Sequence, residues 1–123
     1  MNGIRKIRLQ NAIKSAISTI FRRHIDDPRL GFITITDVEI SKDDKYAFVY
    51  YSVLGSDSQR EKTSKVLSAS SKRITKFLYK ELDTRSLPLL RFKFDDTPSK
   101  AEKLERLFLE SQESDDDSTA DSQ

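Results

Sequence analysis

Residues 32–54 read FITITDVEISKDDKYAFVYYSVL, and this stretch decides the fold. Phe32 to Ile40 is rich in β-branched residues and alternates in part between apolar and polar, which predicts a strand. Tyr46 to Leu54 predicts a second strand, with Ala47, Val49, Tyr51 and Val53 on one face and Phe48 and Tyr50 on the other. The polar Ser41-Lys42-Asp43-Asp44 between them is a turn, so an antiparallel hairpin is expected, ended by Gly55.

Upstream, Leu9, Ile13, Ala16, Ile17, Ile20 and Phe21 recur at helical spacing and predict an amphipathic helix over roughly residues 4–24. Asp27-Pro28 is expected to stop it, because proline lacks the backbone donor and disfavours helix in the residue before it. Downstream, residues 57–82 turn helical again. Ser68-Ala69-Ser70-Ser71 sits in the middle of that run, and serine competes for backbone hydrogen bonds, so two helices over 57–68 and 71–82 are expected, meeting at a kink. Pro88 precedes Leu89 to Phe94, a third strand with Leu90, Phe92 and Phe94 on one side. Residues 98–110 predict a last short helix with Leu104, Leu107 and Phe108 inward, and the polar, acidic residues 112–123 are expected to be disordered. The pattern gives a single α+β domain over residues 1–111, its helices on one face of a three-stranded sheet. Strand order is not readable from it.

The chain has 123 residues and a formal net charge of +2, but the charge is unevenly placed. Residues 1–112 carry 22 basic against 15 acidic side chains, whereas the tail carries five acids and no base. Within the folded part the excess lies in residues 1–30, at +5, and residues 60–93, at +7. That points to a polyanion such as nucleic acid, although a well-solvated basic surface would look the same. There is no cysteine, which removes disulfides, thiolate metal sites and thiol nucleophiles. No apolar run reaches the ~20 residues of a membrane span. Met1 to Arg8 lacks the apolar stretch of a signal peptide, so a cytoplasmic protein is expected.

The element order αββααβ is that of the K-homology fold in its bacterial (type II) arrangement. Three blocks narrow the likeness: Arg8-Leu9 through Ile13, Ile17, Ile20 and Asp27-Pro28-Arg29-Leu30-Gly31; Thr34 to Ser41 with Asp43 and Ala47 to Ser52; and Leu82, Arg85, Pro88, Leu90, Phe92 and Asp95. Together they resemble the ribosome-binding factor A family over about residues 8–108. The resemblance implies a K-homology-like domain that binds the immature small (30S) ribosomal subunit and its 16S rRNA, and assists late maturation and rRNA processing without catalysis. It also implies a link to growth in the cold, a monomer, and no cofactor, membrane or small-molecule substrate. The sequence departs from the family at the kink. Where a small residue, any residue and glycine are usual, Ser70, Ser71 and Lys72 stand here, with Thr75 in place of an arginine. The only glycines are Gly3, Gly31 and Gly55, so there is no GxxG loop.

On a helical wheel Lys72, Arg73, Lys76 and Lys80 fall on one stripe opposite Ile74 and Leu78, an arrangement suited to phosphates or simply to water. Arg5, Lys6 and Arg8 form a second cluster that a frayed basic terminus would also explain. Arg85 is a candidate RNA contact. For it and for Arg29, an internal ion pair with Asp27 or Asp95 accounts equally well, and for Arg29 the structural role is favoured. Phe48, Tyr50, Phe92 and Phe94 could stack on bases, but core packing is the expectation. His24 ends a helix and is read as a cap. The pairs Asp26-Asp27, Asp43-Asp44 and Asp95-Asp96 are read as solvated turns, and with no phosphate-binding loop or catalytic triad spacing no enzyme is expected. Other readings are a protein–protein adaptor using the acidic tail or a sheet edge, and, more remotely, a metal-dependent nuclease. The tail's acids could also compete with RNA for the basic stripe.

Overall fold

A computed structural model describes residues 1–97, 105 and 107–109. The helix α1 spans Gly3–Arg23, the strands β1 and β2 span Phe32–Ile40 and Tyr46–Leu54, the helix α2 spans Asp57–Leu82, and β3 spans Leu89–Phe94. Each helix is closed by its own side chains. Asn2 caps α1 by accepting from the Arg5 N–H at 2.8 Å, and Ser56 caps α2 by accepting from the Gln59 N–H at 3.2 Å. At the far end Asp83 takes the left-handed conformation, φ 47°, that turns the chain out of α2.

The sheet order is β1-β2-β3, with β1 antiparallel to β2 and β2 parallel to β3. The parallel pairing follows from α2, which carries the chain from one end of the sheet back to the other. The register sets Ile40 opposite Ala47, Val38 opposite Val49 and Ile35 opposite Tyr51, all buried toward the helices. The partial alternation of β1 has a cause. A bulge at Thr36 shifts the register between Ile35 and Asp37, so that Ile35 and Val38 both face inward although three positions apart. Thr36 Oγ1 donates to Asp95 Oδ2 at 2.7 Å and ties the bulge to the segment leaving β3.

Ile13, Ile17 and Ile20 of α1 meet Val66, Leu67, Ile74 and Leu78 of α2 over the buried face of the sheet. The two helices expected over 57–68 and 71–82 are one uninterrupted helix, which corrects the predicted break. Each serine costs about 0.5 kcal/mol of helix propensity. Burying Val66, Leu67, Ile74 and Leu78 contributes about 1.5–3 kcal/mol per side chain, and holds the helix together from both sides of the serines. α1 also stops earlier than Asp27-Pro28 requires, at Arg23, and Pro28–Leu30 forms a separate 3-10 turn.

The faces of β2 are as expected, but the expectation that all four aromatics pack in the core fails for two of them. Phe92 and Phe94 pack against the core, but Phe48 and Tyr50 lie on the face of the sheet away from the helices, because alternation puts them opposite Val49 and Tyr51. Near the C-terminus Glu105 and Leu107–Leu109 are helical, but Leu107 and Phe108 are 52% and 47% exposed rather than inward. Leu104 and the acidic tail 112–123 lie outside the described residues.

Candidate nucleic-acid interface

The positions that matter are set first by a junction that fixes α2. Asp27 accepts from the Arg29 backbone N–H at 2.9 Å and from its guanidinium at 3.1 and 2.8 Å, so Arg29 is a structural residue. Those hydrogen bonds from Arg29 hold the Asp27 carboxyl down at about 2. Leu30 is buried and Gly31 turns at φ +66°, with its α-carbon facing Gln59. A Cβ at residue 31 would stand 2.5 Å from Gln59 Nε2 and displace that side chain, and the positive φ itself favours glycine. Gln59 Nε2 donates to the Arg29 carbonyl at 2.9 Å, and the fully buried Thr63 donates from Oγ1 to the Leu30 carbonyl at 2.8 Å. The loop thereby clamps the first turns of α2.

The second half of α2 is the opposite case. Lys72, Arg73, Lys76 and Lys80 are all exposed, on the side away from buried Ile74 and Leu78. Among the described residues none of the four pairs with a carboxylate. Arg73 reaches across to α1, where its Nη2 donates to the His24 carbonyl at 3.3 Å. His24 itself caps α1, donating its backbone N–H to the Ile20 carbonyl, and its ring stacks on Phe77 at 4.0 Å. These contacts bring the last turn of α1, with exposed Arg22 and Arg23, beside the stripe. Sequence reasoning missed these two as site residues. Their signal was only a basic last turn, which complementing the helix dipole explains equally well.

The other candidates are not gathered into this patch. Arg5 and Arg8 are exposed at the opposite end of α1, about 24–29 Å along the helix from His24 at 1.5 Å per residue. Lys6 is bound to Asp44 at 3.2 Å, with the chain's ammonium group on the same carboxylate at 2.7 Å, and the two cations lower the Asp44 pKa. Lys6 is therefore a partner of the β1–β2 turn. Arg85 is exposed in the loop before β3 and pairs with neither Asp27 nor Asp95. Asp95 instead accepts from Thr36 Oγ1 and the Thr97 N–H, which lower its pKa. Among the described residues no three His, Cys, Asp or Glu are placed to hold a metal ion, and no helix is long and apolar enough to cross a membrane.

Comparison with known proteins agrees with this architecture. The family profile for ribosome-binding factor A matches residues 5–108. A ribosome-binding factor A of Staphylococcus epidermidis is 37% identical over 110 residues, which cover 89% of this chain and 95% of that protein. The crystal structure of ribosome-binding factor A from Thermus thermophilus superposes with a TM-score of 0.62 at 28% identity, over 72% of this chain and 93% of that one. A homology model of the T. thermophilus protein, fitted into a cryo-EM map of its complex with the 30S subunit, matches with a TM-score of 0.54 at 26% identity, over 74% and 91% of the two chains. The α+β fold is K-homology-like, without a GxxG loop, and the chain belongs to the ribosome-binding factor A family.

Proposed function

We propose that this protein is a non-catalytic assembly factor that binds the immature 30S subunit through its 16S rRNA and assists late maturation and rRNA processing. It works in the cytoplasm as a monomer, without a cofactor, and its need is greatest in the cold. Residues 1–111 form the RNA-binding domain, and the acidic residues 112–123 stand outside it. The observation that carries this reading is the stripe of Lys72, Lys76 and Lys80, exposed and without carboxylate partners among the described residues. A lysine that is neither buried nor paired keeps its charge for a phosphate, and several in a row make binding strongly dependent on salt. Arg73, Arg22 and Arg23 extend that surface onto α1, and the 30S complex of the T. thermophilus relative supplies the polyanion. Arg5, Arg8 and Arg85 serve as outlying contacts to the same RNA. Lys6, being paired, contributes least.

The test is to sediment cell extract through a gradient. The protein is expected with free small subunits and to leave them as salt is raised. Migration with translating ribosomes, or at the top of the gradient even in low salt, would refute the assignment.

A further inference from the structure

The face of the sheet turned away from α1 and α2 carries a pattern that the basic stripe does not explain. Alternate residues of the central strand β2 present Tyr46, Phe48 and Tyr50 there, each partly exposed. Beside them the register places Arg91 opposite Phe48 and Lys93 opposite Tyr50 on β3. On the β1 side it places Glu39 opposite Phe48 and Asp37 opposite Tyr50. The face is thus an aromatic ridge with a basic row along one flank and an acidic row along the other. Exposed apolar residues lie at both ends, with Phe32 and Leu54 paired beyond the polar Thr34–Ser52 pair, 78% and 74% exposed, and Leu89 at the other end, 60% exposed.

Aromatics are favoured in strands, but three rings in a row on a half-exposed central strand make a contiguous patch of the kind that marks an interaction surface. The cations are also uncommitted to acids. Lys93 Nζ lies 4.3 Å from the centre of the Phe48 ring and the Arg91 guanidinium carbon 5.2 Å from that of Tyr46, and neither pairs with a carboxylate among the described residues. Such an exposed cation–ring contact is weaker than a nucleobase stacked on the same ring, so a polyanion can draw the cation aside and leave its base on the aromatic. Alternate residues of a strand stand about 6.7 Å apart. Sheets bearing aromatics in this way stack two or three successive bases.

We infer that this open face is a second RNA surface, for a single strand rather than a folded helix. Its bases would lie on Tyr46, Phe48 and Tyr50, and its phosphates along Arg91 and Lys93. The charge asymmetry fixes the orientation. The backbone must run on the β3 side because Asp37 and Glu39 repel it from the other. Those carboxylates then face the base edges, where they accept from amino groups such as that of cytosine. The inference rests on the chain being an RNA-binding protein, but it uses none of the residues of the α2 stripe.

The experiment is titration of the full-length protein with a short single-stranded oligocytidine, followed by NMR. Ring resonances of Tyr46, Phe48 and Tyr50 are expected to shift, and oligouridine, which lacks the amino group, to bind more weakly. The double variant Phe48→Leu/Tyr50→Leu keeps apolar bulk and should weaken oligocytidine binding about tenfold or more. A variant with Lys72, Lys76 and Lys80 changed to Glu should lose small subunits yet keep the ring shifts, so the two surfaces can fail separately. Unmoved ring resonances in the parent protein would overturn the inference, whether or not the leucine variant folds. So would loss of small-subunit binding by a folded leucine variant in a protein whose rings ignore oligocytidine, since that result would put a protein on this face.

Discussion

The two halves of α2 are built from similar residues and treated in opposite ways. In the first half Gln59 and Thr63 direct their polar atoms to the carbonyls of Arg29 and Leu30, and the loop before β1 is locked to the helix. In the second half Lys72, Lys76 and Lys80 have no such partner among the described residues. The difference lies in what each half faces. A buried hydroxyl without a partner costs about 1–3 kcal/mol, so a side chain facing a neighbouring loop must be satisfied. An exposed ammonium is satisfied by water until something better arrives. Gln59 and Thr63 are structural, and Lys72, Lys76 and Lys80 are available.

The sharpest way to break that contrast is to reverse the charge of the available lysines. Changing Lys72, Lys76 and Lys80 together to Glu should weaken binding to purified small subunits about a hundredfold or more at low salt, since each lost phosphate contact removes a released counterion. The thermal midpoint should stay within a few degrees, because exposed substitutions rarely move stability beyond about 0.5 kcal/mol. A variant that binds as before would show that the lysines are merely solvated.

The structural residues should respond in the reverse manner. Thr63→Val preserves volume but strips the Leu30 carbonyl of its donor, and is expected to cost about 1–3 kcal/mol in urea unfolding. A cost near zero would mean that packing alone holds the junction. Gly31→Ala should cost about 1–3 kcal/mol, because φ 66° with ψ −156° is a backbone conformation essentially confined to glycine. It should cost more while Gln59 blocks the new methyl group, so that pairing it with Gln59→Ala recovers part of the loss.

The smallest expected effect concerns pH. Asp27 is held at about 2 by Arg29, below its ordinary value near 3.9 in an unfolded chain. A lowered carboxyl stabilises the fold above the unfolded value, and that contribution fades as pH falls from about 4 toward 2. Asp27→Asn should therefore lower the thermal midpoint at neutral pH and flatten its acid limb in that window. Some acid sensitivity should remain, since Asp43, Asp44 and Asp95 are lowered in the same direction.

Much of the fold was legible because it is local. The three strands begin and end where β-branched and aromatic runs meet turn residues, and the inward positions of β2 and β3 follow from a period of two. The stripe on α2 was legible for the same reason, at a period of 3.6. The serine run misled because propensity is a weak local term, set here against four large side chains buried on both sides of it. Lys6 misled as well. Its spacing from Arg5 and Arg8 suggested a cluster, but its partner Asp44 lies far along the chain.

By itself the sequence determined the alternation along β2 and β3, the apolar stripes of α1 and α2, and that positive charge gathers on α2. Each is a property of a few neighbouring residues. Only the tertiary structure decided that β3 lies parallel beside β2, that a bulge at Thr36 realigns β1, that Arg22 and Arg23 join Arg73, and that Phe48 and Tyr50 remain outside the core. Those facts depend on which surfaces meet, and the free energy that selects one meeting over another is summed over contacts between distant parts of the chain.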